Sequence, residues 1–219
     1  MSETIVIAEM NKNTIHPSTA ELVAAAGALG SEPTLIVPCT DASAADGAAS
    51  WNGISNIIAA KSSVFENYDA SGWASALDAV MPQGTIITGT SPQSKDLAAR
   101  VAGRRNLPVV QDVVKINGNQ VTSPVYSGKA MQTVSLSGAS VVSVRSNIFS
   151  PVQEGGQNSV SVIDTTGNIA TSVQEFMERA SKRLDVAEAN IIISGGRGMG
   201  TPENFSHLEA VADTIGAAV

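Results

Sequence analysis

A glycine-rich turn near the end of the chain has the residue types that point most directly to ligand chemistry. It consists of Ser194, Gly195, Gly196, Arg197 and Gly198, between a strand-like run and a helical pattern. Glycines let a backbone approach a ligand closely, and a helix N-terminus with an arginine favours a pyrophosphate. The spacing differs from the G-x-G-x-x-G dinucleotide motif, so the pattern fits either a phosphate-binding turn or a plain tight turn with a solvated arginine.

A second polar turn, Gly89 to Asp96, follows a strand-like run and opens a helix. Backbone N–H groups at such a helix start would hold a nucleotide phosphate. The structural interpretation is preferred here. Ser91 or Ser94 capping the helix, with Asp96 in its first turn, explains the same residues without a ligand.

The other reactive side chains indicate neither metal binding nor covalent catalysis. His16 and His207 lie far apart, without a cysteine or carboxylate at metal-ligand spacing, so we expect both to be surface or capping residues. Cys39 is the single cysteine, which excludes an intrachain disulfide. No nucleophile with a partner base is recognisable. We therefore expect no catalytic residue and no metal site.

The composition is that of a soluble globular protein, with 43% apolar and 15% charged residues and a net charge of −7. This acidic balance argues against a nucleic-acid partner, and the apolar runs are too short for a membrane span. The start lacks the features of a signal peptide. We expect a cytoplasmic protein of a bacterium, with the mitochondrial matrix as the eukaryotic counterpart. The basic edge of one helix is expected to be a solvated face: Arg100, Arg104 and Arg105.

Short β-branched runs alternate with helical patterns at the start of the chain, which predicts an α/β fold with a mainly parallel twisted sheet flanked by helices. The predicted strands are Ile5 to Ile7, Leu35 to Val37, Ile54 to Ile58 and Thr85 to Thr88. The predicted helices are Pro17 to Leu29, Ala70 to Val80 and Ser94 to Arg105.

After Pro108 the pattern changes to period two, which predicts antiparallel hairpins that extend the sheet. Their strands are Val113 to Ile116, Gln120 to Tyr126, Ala130 to Leu136 and Ser140 to Val144. Val160 to Ile163 suits a strand or linker at a domain edge, and Val173 to Leu184 a short helix. From Asn190 the chain predicts the first strand, turn and helix of a second doubly wound α/β domain.

Four segments are more specific than these patterns. Ile191 to Asn204, followed by Phe205, resembles the opening of the FAD-binding domain of electron transfer flavoprotein alpha subunits, where a strand leads into S-G-G-R-G and a downstream E-N-F. The N-terminal domain of the same family is similar, in order and spacing, to three further parts: Gly89 to Val101 with Asp112, Val125 to Ala130, and Val144 with Arg145. The resemblance covers nearly the whole chain.

The resemblance implies an electron carrier rather than an enzyme. In that family an alpha subunit pairs with a beta subunit, and a bound FAD carries electrons from flavin-containing dehydrogenases to a downstream acceptor. The residues that match the first FAD-contacting turn are Gly195, Gly196, Arg197 and Gly198, with Arg197 as the direct cofactor contact. AMP is a candidate ligand of the beta subunit.

The resemblance also implies two domains. Residues 1–187 would form the scaffold domain that pairs with the beta subunit, and residues 188–219 the start of the FAD-binding domain. The family's other flavin-holding segments, G-A-S-R, G-Q-T-G-K and G-I-S-G-A, do not occur in this sequence. An incomplete FAD-binding domain is therefore expected. A hinge is expected within Ser150 to Asn168 or near Leu184.

Two alternatives stay open at this point. One is an adenine-nucleotide-binding module that holds a phosphate at Thr88 to Lys95. The other is a purely structural subunit that docks a beta subunit and binds no small molecule.

Overall fold

The computed structural model describes residues 3–175, 184, 186 and 189–219. They belong to two compact units, Met1–Ser172 and Val173–Val219. The strands are β1 Glu3–Ile7, β2 Met10–Asn11, β3 Thr14–Ile15, β4 Thr34–Cys39, β5 Asn56–Lys61, β6 Gly84–Thr88, β7 Val109–Val113, β8 Lys115–Asn117, β9 Gln120–Val125, β10 Ala130–Ser135, β11 Val141–Val144 and β12 Val160–Asp164. The α-helices are α1 Ser18–Gly27, α2 Ala70–Val80, α3 Pro92–Arg105 and α4 Phe205–Ile215. Among the described residues, no helix has both the length and the apolar character needed to cross a bilayer.

Seven strands of the first unit form one sheet in the order β12-β5-β4-β1-β6-β11-β7, and each adjacent pair is parallel. The predicted mainly parallel sheet is therefore confirmed. The chain winds from β1 to β4 and β5 on one side and then crosses to β6 on the other side of β1. In doubly wound sheets, ligands bind at the carboxyl ends of the strands beside such a reversal.

Strand β1 is buried on both faces, and this explains the helices on each side. Successive side chains of a strand point to opposite faces. Val6 belongs to the apolar cluster that contains Leu22 of α1. Ile5 belongs to the opposite cluster, together with Leu77 of α2 and Val101 of α3. Burying an apolar side chain of this size contributes about 1.5–3 kcal/mol, so both helix layers are required for stability.

The antiparallel hairpins are present, but they form a sheet of their own in the order β10-β9-β8 and do not extend the main sheet. Val141–Val144, predicted as a hairpin strand, instead lies between β6 and β7 and is parallel to both. All four residues of this strand are buried. Burial on both faces requires a central position, and a run of apolar residues does not distinguish the two kinds of pairing.

The segment Ser150 to Asn168 belongs to the first unit and is hydrogen-bonded to it, which weighs against a hinge within this segment. Val152 N–H donates to the carbonyl oxygen of Ala20 at 3.2 Å, and Asn158 Nδ2 donates to that of Trp51 at 2.7 Å. Strand β12, predicted within this segment, pairs in parallel with β5 at the edge of the sheet.

The second unit has the order strand, turn and helix, as predicted, but its strand is reduced to a single parallel bridge between Ile192 and Ala218. Helix α4 lies between the two bridged residues in sequence. The predicted boundary between residues 187 and 188, and most of the predicted helix over Val173 to Leu184, lie outside the described residues. The position near Leu184 remains a prediction for the hinge.

Arg105, in the last turn of α3, is not part of a solvated basic face. Its side chain is 5% exposed, and Nε donates to Oδ1 of Asp78 at 2.6 Å. Its guanidinium also donates to the carbonyl oxygens of Pro82 and Met81 at 2.6 and 2.8 Å. A planar guanidinium has five donors, so one side chain joins the end of α3 to the end of α2. Arg104 is 46% exposed, as expected.

We expect Arg105→Met to lower the free energy of unfolding by about 3 kcal/mol, because it removes a buried donor from the Asp78 carboxylate and from three carbonyl groups. Urea denaturation followed by tryptophan fluorescence measures this. Arg104→Met is the matched control, since its half-exposed contact with Asp78 is expected to contribute less than about 1 kcal/mol. Equal, small effects of the two substitutions would contradict the bridging role of Arg105.

Candidate functional site

The carboxyl edge of the main sheet carries a polar cluster centred on Glu9, two residues after β1. Glu9 Oε2 accepts a hydrogen bond from Ser18 Oγ at 3.0 Å, and Oε1 accepts one from Ser94 Oγ at 3.2 Å. Ser18 lies in the first turn of α1 and Ser94 in the first turn of α3. One carboxylate therefore joins the N-terminal ends of two helices, where the helix dipoles favour a negative charge.

The capping prediction for α3 is confirmed for Ser91, whose Oγ accepts the backbone N–H of Ser94 at 3.1 Å. The predicted place of Asp96 in the first turn is wrong, because the helix begins at Pro92. Asp96 instead accepts hydrogen bonds from Arg100 Nε at 3.3 Å and from Tyr68 Oη at 3.1 Å.

The position of Glu9 weighs against nucleotide binding at the turn Gly89 to Asp96. A Cβ on Gly89 would lie only 2.7 Å from Glu9 Oε2, so the carboxylate lies directly against the backbone of this turn. A phosphate entering there would meet a like charge at close range. The structure therefore favours the capping interpretation of the turn.

Glu9 has one local sequence signal, a carboxylate placed just after a buried strand. Its contact with Ser94 spans 85 positions of the chain. Only the pairing of β1 with β6 brings the two residues to the same edge of the sheet.

The histidines lie where they were expected. His16 Nδ1 accepts the backbone N–H of Ser18, the first residue of α1, at 3.2 Å, and His207 is exposed. Burial raises the pKa of the Cys39 thiol to about 11, so this thiol stays protonated at neutral pH and is a poor nucleophile. Within the described part of the chain, no group of three or more His, Cys, Asp or Glu residues is placed to hold a metal ion.

The predicted ligand turn of the second unit is compact. Its members Gly195, Gly196, Arg197 and Gly198 lie between the bridged residue Ile192 and α4. Arg197–Met199 forms a 3₁₀ turn, in which the N–H of Met199 donates to the carbonyl oxygen of Gly196 at 2.9 Å.

The three glycines of this turn lack a side chain for different physical reasons. A Cβ on Gly195 would lie 2.7 Å from Leu208 Cδ1 and 2.9 Å from Met199 Cγ, so packing excludes a side chain there. At Gly196 and Gly198 no atom of the described structure lies within 4 Å of such a Cβ. Neither residue has a positive φ. Neither packing within the described structure nor backbone conformation therefore requires glycine at these two positions, as is also true of Gly27, Gly47, Gly103 and Gly138.

Arg197 is exposed and, within the described residues, forms no ion pair. Glu203, close to it in sequence, has a pKa held below its usual value because the Thr201 hydroxyl and its own backbone N–H donate to its carboxylate. The turn therefore combines an exposed cation with two uncovered glycines, an arrangement suited to a phosphate or pyrophosphate.

A glycine-rich turn that leads from a strand into a helix is typical of the α/β proteins that bind nucleotides. Residues 4–168 match the model of the electron transfer flavoprotein domain, and residues 185–219 match that of the electron transfer flavoprotein FAD-binding domain. The chain belongs to the electron transfer flavoprotein family.

Its similar proteins are alpha subunits, which confirms the resemblance. The mitochondrial electron transfer flavoprotein subunit alpha of Arabidopsis thaliana is 33% identical over 238 residues, which cover 99% of this chain and 66% of the relative. The subunit alpha of Pseudomonas aeruginosa is 30% identical over 221 residues, which cover 98% of this chain and 72% of the relative. This chain thus spans about two thirds of the length of these relatives.

We expect Glu9→Gln to lower the free energy of unfolding by about 1–2 kcal/mol, because the charge-assisted hydrogen bonds from Ser18 and Ser94 become neutral ones. Equilibrium urea denaturation measures this. Glu32→Gln, at an exposed position, is the control and is expected to stay within about 0.5 kcal/mol of the original chain. An unchanged stability of Glu9→Gln would show that the carboxylate is not a structural link.

We also expect isothermal titration of AMP into the purified chain to give no binding heat that depends on the turn Gly89 to Asp96, since the Glu9 carboxylate lies against that turn. Saturable binding that is lost in Lys95→Met would instead support the nucleotide alternative. Lys115→Met, at an exposed lysine of β8, controls for the general loss of a positive charge.

Proposed function

We propose that this chain is the alpha subunit of a heterodimeric electron transfer flavoprotein that carries electrons from flavin-containing dehydrogenases to a downstream acceptor through a bound FAD. The observation that carries the proposal is the open turn at Gly196 and Gly198 beside the exposed Arg197. This turn lies in the part of the chain that is similar to the family's FAD-binding domain. In this proposal the protein is an electron carrier and turns over no substrate of its own.

The residues of the turn fit the pyrophosphate group of FAD. Gly196 and Gly198 allow the backbone N–H groups to approach phosphate oxygens closely, and Arg197 supplies a planar donor with a permanent positive charge. Gly195 supports them indirectly, since its packing against Leu208 fixes the turn on α4. When bound, FAD supplies the electron-transfer chemistry, while these residues bind and orient it.

The two parts of the chain have different roles in this proposal. Residues 1–187 form the scaffold domain that pairs with the beta subunit, and residues 188–219 begin the FAD-binding domain. The Glu9 carboxylate supports placing AMP in the beta subunit rather than in this chain. The bacterial and mitochondrial relatives are consistent with a bacterial cytoplasm or a mitochondrial matrix.

Denaturing mass spectrometry of the complex purified from its native source tests the proposal, because it reports chain lengths, companion subunits and released cofactor together. A second subunit and FAD would support it. A companion subunit without FAD would indicate the structural alternative, and a lone chain with neither would overturn both.

We expect Arg197→Met to weaken FAD retention by the native complex about tenfold or more, because a charge-assisted hydrogen bond to a phosphate is lost. The ratio of flavin to protein after dialysis, from absorbance, measures this. Arg100→Met, which removes a half-exposed arginine of the first unit, is the control and should retain FAD like the original protein. Equal retention in both variants would remove Arg197 from the site.

A further inference from the structure

The last segment of the first unit, residues 165–171, is bound along one side of helix α2. Thr165 Oγ1 donates to the carbonyl oxygen of Ala76 at 2.8 Å, and the N–H of Asn168 donates to Ser75 Oγ at 3.1 Å. These contacts begin where strand β12 ends, at Asp164. They form a strap, which here denotes residues 165–171.

Two glycines let the strap lie directly on the helix backbone. A Cβ on Gly167 would lie 2.3 Å from the carbonyl oxygen of Gly72 and 3.1 Å from Ser75 Oγ. Gly72 lies within α2, where glycine is less favourable than alanine by about 1 kcal/mol. A Cβ on Gly72 would lie 2.9 Å from Val64 Cγ2 and 3.5 Å from the carbonyl oxygen of Asn168. Close packing, including that of the strap, therefore accounts for a glycine inside this helix.

The carboxylate of Asp69 fastens the far end of the strap. Asp69 is 6% exposed, and its Oδ1 accepts the N–H of Gly72 at 2.6 Å, which caps α2. Its Oδ2 accepts the Thr171 hydroxyl at 2.6 Å and the Thr171 N–H at 3.1 Å. The Thr171 hydroxyl, followed by the Gly72 N–H, holds the pKa of Asp69 below its usual value. The carboxylate is therefore ionised at neutral pH, and the strap is fastened under those conditions.

Thr171 is separated by a single residue from the boundary of the first unit, which follows Ser172. We propose that Asp69 and Gly72 form a clamp that fixes the point at which the chain leaves the first unit and thereby sets the length of the tether to the second unit. Release of the clamp together with the Thr165 and Asn168 contacts would let the chain leave at the end of β12, and the seven residues of the strap would then add up to roughly 23–25 Å of reach. That a fixed tether length matters to the protein rests on the proposed function, in which the second unit carries the cofactor.

Two substitutions in the native complex test the clamp independently, one by removing a hydrogen-bond donor and one by adding a methyl group. Thr171→Val removes the hydroxyl donor and leaves the helix cap of Asp69 intact. Gly167→Ala places a methyl group against the Gly72 carbonyl and changes no atom of Asp69 or Thr171. The matched controls are Thr166→Val, at an exposed position of the strap, and Gly103→Ala, in α3 where no atom lies within 4 Å of the added Cβ.

Hydrogen–deuterium exchange with mass spectrometry is the readout. Peptides that contain residues 165–171 are expected to exchange at least about tenfold faster in both variants than in the original protein and the controls, while peptides from β1 and β6 stay unchanged. The proposal would be overturned if the strap peptides exchanged at the original rate in both variants. A uniform increase in the exchange rate across the whole first unit would also overturn it. If one variant does not fold, the exchange rate of the strap in the other variant tests the proposal alone.

Limited proteolysis separates this proposal from the proposed function. Faster cleavage within residues 165–172 of a variant, with FAD retention unchanged or with no FAD found in either protein, supports the clamp whatever the cofactor. Cleavage at the original rate counts against it even if FAD is present.

Discussion

The burial of β1 on both faces is the constraint on which the first unit depends. A parallel strand in the middle of a sheet has no face in water, so its side chains require helix cover on each side. Val6 and Ile5 point in opposite directions and recruit α1 on one face and α2 and α3 on the other. The helices on both faces require the chain to reverse its winding beside β1. This reversal brings the ends of β1 and β6, and the starts of α1 and α3, to one edge of the sheet.

That edge has the helix N-termini that many doubly wound proteins use to bind a phosphate, and here a carboxylate of the chain itself lies beside them. The Glu9 carboxylate bonds with Ser18 and Ser94, so the favourable site for an anion is occupied from within the chain. The glycine-rich turn of the second unit is the opposite case, since Arg197 is exposed and its neighbouring glycines are uncovered. Within the described residues, this contrast is the reason why the proposed ligand site is the turn of the second unit.

Sequence patterns predict the parts of this fold that depend on neighbours in the chain. The run Ile5 to Ile7 and the helix Ala70 to Val80 follow from apolar spacing, and the Ser91 cap from its place before Pro92. The parts that depend on distant contacts are not predictable in this way. Asp69 meets Thr171 across 102 positions, and Arg105 meets Asp78 across 27. Val141–Val144 was misplaced for the same reason, because a uniformly apolar run does not specify its neighbours.

The structure separates glycines that look alike in the sequence into those that packing requires and those that it does not require. Gly72, Gly167 and Gly195 are glycines because a Cβ would meet atoms closer than van der Waals contact, so their identity is explained by packing. Gly196 and Gly198 have neither a crowded Cβ position nor a positive φ, so nothing in the described units explains them. A glycine in an unstrained, uncrowded position loses more conformational entropy on folding than alanine would. Gly103 in α3 has the same two properties, so it is the exposed Arg197 beside Gly196 and Gly198 that makes this turn the proposed contact for a pyrophosphate.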